Sequence, residues 1–265
     1  NRDWSAPRLV GLVGALAFPL AAGALVWTVV AAATALAPLA GAAVAGLVLF
    51  VTTSLRRLLS TARDVSEATE RDLTLAREEL RALAGRDASA LSAGQVRSAA
   101  VESAAENLAD GLVAPLLAFA VGAQLSPAVG AAAAAWVKAV NTMDSMLGYR
   151  SKPVGWGPAR LDDAVMWVPA RASALLLAMA AGAPTATRRA SRWVGSVPSP
   201  NSGWPMGTLA ASLDVRLEKP DVYVLNADAH LPTVADARTA VRTVAVAGGL
   251  AYALMAALVV LPEVR

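Results

Sequence analysis

Charged side chains are absent from four stretches of the chain: Leu9–Leu55, Gly111–Val137, Ala172–Thr187 and Thr243–Pro262. Uncharged apolar runs of about 18 residues or more match the hydrocarbon core of a bilayer. Leu9–Leu55 is too long for one crossing, and Pro38 with Gly41 after it marks a tight uncharged turn. The pattern therefore predicts a hairpin of two spans, about 9–36 and 39–55. Further spans are expected over 98–124, 128–147, 161–182 and 243–262. Between them lie a cytoplasmic helical segment over 56–97 and a polar loop region over 188–242. The expected fold class is all-α: one polytopic integral membrane helical bundle over 1–265, with cytoplasmic helices and loops.

The polar positions are confined to particular places. Arg56 and Arg57 follow a span end, which puts the 56–97 segment in the cytoplasm by the positive-inside rule. That segment reads as a solvated amphipathic helix pair broken at Gly85. Gly94–Leu125 reads as one long helix, and on its first half Ser98, Glu102, Glu106 and Asp110 recur every four residues, with Asn107 alongside. Such spacing stacks side chains on one stripe. Ionisable groups entering a membrane segment are costly, and by default they mark function. Gly122–Pro127 reads as a turn, and the returning helix ends in Lys138, Asn141, Asp144 and Ser145. A hairpin brings both polar ends to one membrane side; a continuous crossing over Leu112–Val137 would place them on opposite sides. On a continuous helix Arg160, Asp163 and Arg171 share a face. Val197–Pro205 cannot be regular, having three prolines, and it places Ser202 near the start of a short helix at Met206–Leu213, a position suited to anions.

Composition narrows the chemistry. The chain is 56% apolar and 16% charged, with mean hydropathy +0.51, which excludes a disordered chain and an ordinary water-soluble enzyme. With no cysteine, disulfides, thiolate metal sites and thiol nucleophiles are excluded, and the single histidine, His230, excludes a multi-histidine site. A net charge of +3 gives no footprint for nucleic acid. What remains is oxygen-rich: the three stripe carboxylates Glu102, Glu106 and Asp110, with Asp144 and the pair Asp162 and Asp163, suit a hard ion such as Mg²⁺, with Arg160, Arg171 and Lys138 for phosphate or carboxylate groups. The bland alternative is a set of intramembrane salt bridges that knit helices together. No phosphate-binding glycine-rich motif is present, and no internal repeat.

At these residues a family resemblance emerges. Glu106-Asn107-Leu108-Ala109-Asp110-Gly111-Leu112-Val113-Ala114-Pro115 resembles the ENxxDGxxAP segment of the cobalamin-biosynthesis membrane family CobD/CbiB, the adenosylcobinamide-phosphate synthases. The segment from Lys138 to Tyr149 is similar to its KAVNTLDSMVGY, and Ala159–Asp163 with Val168–Arg171 to its ARxDD and xPAR. Ser199–Trp204 is like its SPNSGW, and Gly85–Asp87 like its GRD. The resemblance implies an ATP-dependent amide ligase that joins adenosylcobyric acid to (R)-1-aminopropan-2-ol or its O-phosphate. ATP and Mg²⁺ would be the cofactors and the corrinoid a substrate. On this reading Glu106, Asp110, Asp144, Asp162 and Asp163 are metal ligands, and Lys138, Asp144 and Arg160 are catalytic. Substrate binding is expected of Asn107, Asn141, Ser145, Tyr149, Arg171, Ser199, Asn201, Ser202 and Trp204.

The resemblance also implies a multi-pass protein of the cell (inner) membrane with a cytoplasmic active face. Lipid, a second copy or other cobalamin-pathway enzymes are the expected partners, and nucleic acid is not. Two departures stand out. Nothing before Leu9 matches the family's HPVxWIGR-like stretch, and the absent initiator Met suggests a fragment of a longer product. The family's GGPNYY-like stretch appears as Glu218–Tyr223 without its glycine pair. The competing function is a membrane transporter for an ion or a corrinoid, built on the same carboxylate and Arg set.

Overall fold

The computed structural model describes residues 6–84, 87–148 and 152–260, apart from the side chain of Ala82. Tyr149, the first two residues of the GRD motif and the end of the 243–262 span lie outside the described residues. Within them the fold is helical, as expected, and the only strands are one short antiparallel pair. Four helical stretches, beginning at Pro7, Pro38, Ala93 and Val234, are long and apolar enough to cross a membrane; a fifth is formed by a broken pair. The protein is thus a polytopic membrane helical bundle. Where one domain is expected, the chain clusters into two compact units, each built from segments distant in sequence.

The first unit comprises residues 1–53, 110–169 and 252–265. α1 (Pro7–Leu36) and α2 (Pro38–Thr52) form the expected hairpin, broken at Ala37 in front of Pro38. α1 packs against α2 and against α7 (Pro127–Leu147). Its buried positions are Gly11, Ala15, Pro19, Gly23 and Val30, mostly small, while Leu9, Leu16, Phe18, Leu20 and Leu25 are exposed. Small residues inside and large apolar ones outside invert the pattern of a soluble helix and match packing in lipid, where close backbone approach drives association. α6 (Ala114–Ala123) returns into α7 as the second hairpin. There Gly122 and Gly130 face each other so closely that a Cβ on Gly122 would sit 2.8 Å from the Val129 carbonyl oxygen. α7 is a helix of 21 residues, but Lys138, Asn141 and Asp144 keep it out of the set apolar enough to cross.

The expected span over 161–182 is divided. α8 (Trp156–Val165) and α9 (Trp167–Ala180) part at Met166. Pro169 has no N–H for the Val165 carbonyl, and its ring crowds that carbonyl. The sharing of a face by Arg160, Asp163 and Arg171 assumed an unbroken helix, and this break removes that premise. Gly94–Leu125 is likewise not uniform: the turn Ala109–Val113 after α5 (Ala93–Leu108) opens to π geometry. Pro115 cannot donate to the Gly111 carbonyl, so the ladder loosens just before it.

The second unit comprises residues 54–109 and 170–251. α3 (Leu55–Arg71), α4 (Leu73–Ala84) and α5 pack around Val65, Ala76, Leu80, Val96 and Ala99. The α3–α4 break falls at Asp72, whose Oδ1 accepts from the Thr74 and Leu75 N–H groups at 2.9 and 3.1 Å. α5 opens on a capping box between Ser92 and Gln95. α10 (Ala186–Ala190) and α11 (Gly203–Leu213) pack together, and α11 also meets α5. β1 (Leu217–Lys219) and β2 (Tyr223–Leu225) form a hairpin where the sequence promised only a polar loop. α12 (Val234–Val260) closes the described chain.

Candidate functional site

The hairpin is fastened to α5 by the polar stripe. Ser98 donates its hydroxyl proton to Glu102 Oε1 at 3.1 Å and accepts from the Glu218 N–H at 2.8 Å. Tyr223 donates its phenol to Glu102 Oε2 at 3.1 Å, and Gln95 donates to Glu218 Oε1 at 2.9 Å. Glu102, only 1% exposed, is therefore a structural carboxylate with both oxygens bonded. Of the stripe, Ser98 and Glu102 serve the fold, and Glu106 lies further toward the end of α5, where the cavity opens.

That cavity, of about 260 Å³, belongs to the second unit. α5 contributes Glu106 and Asn107, the loop before α11 contributes Ser199 and Ser202, and the hairpin contributes Lys219 and Tyr223. Two motifs separated by some ninety positions thus meet in one space. Asn107 donates its amide to the Ser103 carbonyl at 3.0 Å, which fixes its rotamer. Ser199 Oγ accepts from the N–H groups of Asn201 and Ser202 at 3.2 and 3.3 Å, so it folds the irregular loop around itself. Arg171 donates to the Asn201 side-chain oxygen at 3.2 Å, and its guanidinium lies 5.2 Å from the centroid of the Trp204 ring. Asn201 is buried, and the pairing joins the xPAR and SPNSGW motifs directly. Lys219 and Tyr223 lie in the Glu218–Tyr223 stretch, which its missing glycine pair kept out of the expected site.

The other expected residues lie in the first unit. Asp110 occupies the π turn. Lys138, Asn141, Asp144 and Ser145 stand on the second half of α7, and Arg160, Asp162 and Asp163 on α8, which packs against α7. Arg160 Nη1 meets Asp163 Oδ2 at 3.5 Å. The like charges of Asp144 and Asp163 act on one another. A Cβ at Gly148 would collide with the Asp144 carboxylate, so the glycine leaves that carboxylate its place beside the helix end. Ser145 is exposed and turns its hydroxyl back to the Asn141 carbonyl at 2.9 Å.

Among the described residues no three acidic or histidine side chains gather into a metal-holding group. The expected ligands are divided, with Glu106 in the second unit and Asp110, Asp144, Asp162 and Asp163 in the first. Asp144 and Asp163 stand on the neighbouring helices α7 and α8, and Mg²⁺ is commonly held by one or two carboxylates with substrate phosphates supplying the other oxygens.

The family model of the CobD/Cbib protein matches residues 1–253. A cobalamin biosynthesis protein CobD of Mycobacterium tuberculosis (strain ATCC 25618 / H37Rv) is 40% identical over 248 residues, 88% of this chain and 72% of that protein. One from Geobacter metallireducens is 38% identical over 230 residues, 83% of this chain and 70% of that protein. A probable cobalamin biosynthesis protein CobD of Methanothrix thermoacetophila is 37% identical over 215 residues, 79% of this chain and 67% of that protein. No solved structure matches.

Proposed function

The chain belongs to the CobD/CbiB family, and from that premise we propose that it is a cobalamin-biosynthesis enzyme. Its reaction is the ATP-dependent joining of adenosylcobyric acid, through a propionate carboxyl, to (R)-1-aminopropan-2-ol or its O-phosphate. The product is adenosylcobinamide or its phosphate. The observation that carries this reading is the cavity in which Glu106, Asn107, Ser199 and Ser202 meet. Those residues come from the two motifs most distinctive of the resemblance, and their chemistry suits a small polar substrate. The enzyme sits in the cell membrane with its active face toward the cytoplasm, the side marked by Arg56 and Arg57.

Amide formation from a carboxylate is uphill in water, so phosphoryl transfer from ATP must drive it: the propionate oxygen takes the γ-phosphoryl, ADP leaves, the amine attacks the carbonyl carbon, and phosphate departs. Mg²⁺ held by Asp144 and Asp163 would neutralise phosphate charge during the first transfer. In the first unit Arg160, poised by Asp163, would bind phosphate oxygens; in the second, Arg171, oriented by Asn201 and Trp204, offers a cation for an anionic group. Lys138 offsets charge that builds on the acyl phosphate. Asn141 and Ser145 of the first unit, and Trp204 of the second, keep the substrate-binding roles that the resemblance implies.

The test is direct. Detergent-purified protein is incubated with adenosylcobyric acid, each amine donor and Mg²⁺–ATP, and the amide and ADP are quantified. One ADP per amide is the expected result. No amide from either donor, with the full-length gene product equally inactive, would overturn the ligase assignment.

A further inference from the structure

Three walls of different chemistry enclose the cavity in the second unit. α5 brings a carboxylate and a carboxamide, Glu106 and Asn107; the loop before α11 brings two hydroxyls, Ser199 and Ser202; and β1 brings the ammonium of Lys219. Resting on the ligase reading, we infer that this cavity is the amine-donor subsite and that it takes the donor as its O-phosphate. Ser199, Ser202 and Lys219 hold the phosphate, and Glu106 with Asn107 holds the ammonium end.

Four observations support the assignment. Ser202 is only 9% exposed, lines the cavity, and its hydroxyl has no hydrogen-bond partner among the described residues. That hydroxyl is left to face the cavity, where a ligand oxygen can meet it. It also stands at the N-terminus of an 11-residue helix, whose dipole favours an anion. Second, the Ser199 oxygen already accepts two backbone N–H groups, which leaves its own proton to donate. Third, Lys219 forms no ion pair among the described residues, whereas its neighbour Glu218 is committed to Arg216. Glu106 on the α5 wall repels a phosphate and attracts an ammonium, so the two ends of an amino-alkyl phosphate are told apart. Fourth, the cavity of about 260 Å³ is small. Pockets that enclose drug-sized ligands run to roughly 300–1,000 Å³, so this one suits a short ester.

Binding is measured calorimetrically on the full chain in detergent, without nucleotide, Mg²⁺ or corrinoid. The probes are aminopropanol O-phosphate, free aminopropanol and inorganic phosphate. The wild type is expected to bind the ester at least tenfold more tightly than either fragment. Lys219→Met should weaken the ester at least tenfold and leave the free amine within twofold, while Lys219→Arg restores most of the affinity. Glu106→Gln should weaken the ester and the free amine together, with inorganic phosphate unchanged. Should Lys219→Met fail to fold, by circular dichroism and gel filtration, Ser202→Ala carries the same expectation of weakened ester binding. A wild type that binds no phosphate probe, or that prefers the free amine, overturns the assignment. So does ester binding that is indifferent to both Lys219 and Ser202. These titrations need no turnover. A protein that shows the expected pattern yet forms no amide keeps the subsite and refutes the ligase reading. Amide formation insensitive to Lys219 refutes the subsite alone.

Discussion

Glu102 and Glu106 lie one helical turn apart on the same stripe, yet they do different work, and spacing alone could not separate them. Glu102 is claimed by Ser98 and Tyr223, and Glu106 reaches the cavity. The periodicity singled out the stripe; which members were structural depended on a hairpin more than a hundred positions downstream. Replacing Glu102 with alanine strands two hydroxyls, and the expected cost is about 1–3 kcal/mol, read as a lowered unfolding midpoint in detergent. Tyr223→Phe removes only one of those bonds and should cost about 1 kcal/mol. Arg171 invites a different experiment. Its planar group both donates to Asn201 and lies over Trp204, and a lysine ammonium reproduces neither geometry. Arg171→Lys is expected to slow amide formation about tenfold, equivalent to about 1.4 kcal/mol, with the fold intact by circular dichroism.

At the scale of elements, both hairpins of the first unit were legible because proline and glycine punctuate long apolar runs. The α6–α7 pair depends on backbone contact at Gly122 and Gly130, where an added Cβ meets Ala123 and the Phe119 carbonyl. Gly130→Val should therefore destabilise by about 1–3 kcal/mol through overpacking, measured by thermal unfolding in micelles. The break at Met166 was harder to see, since Pro169 acts on a carbonyl four residues back. The β1–β2 hairpin was invisible: three-residue strands leave almost no periodic signal, and their side chains are mostly polar. The cap of α11 yields a pH-dependent expectation. Asp214 holds a left-handed backbone (φ 52°) and accepts from Arg189 at 2.9 Å and Asn226 at 3.2 Å. The Arg189 bond first, then the Asn226 bond, keep its carboxyl below the usual carboxylate range. A depressed folded-state value stabilises above the unfolded pKa and is lost as pH falls through the folded one. Asp214→Asn tolerates the same backbone, so it should lower the midpoint slightly at pH 7, by about 0.5 kcal/mol for so exposed a pair. The difference should vanish in acid below the normal carboxylate range.

For the whole molecule, the apolar runs announced a membrane protein, and the described helices agree. Their distribution into two units could not be read from the chain, because each unit gathers segments far apart in sequence. The candidate residues follow that division: Asp110, Lys138, Asp144, Arg160 and Asp163 belong to one unit, and Glu106, Arg171, Asn201 and Ser202 to the other. The exposed leucines and phenylalanines of α1 and α2 lead to a simple expectation. Alkaline carbonate should leave the protein in the membrane pellet, and only detergent should release it; release by carbonate would contradict an embedded hairpin.

The small ribbon from Leu217 to Leu225 has one more implication. It delivers Lys219 and Tyr223 to the cavity from a turn closed by Pro220 and a left-handed Asp221, and of the two only Tyr223 is also tied to a long helix, through Glu102 of α5. Taste for one amine donor over another would then be inherited as a cassette. Over evolutionary time, a lineage could retune which small amine ends up in its corrinoid by rewriting one turn, while the carboxylates and arginines elsewhere stayed as they were.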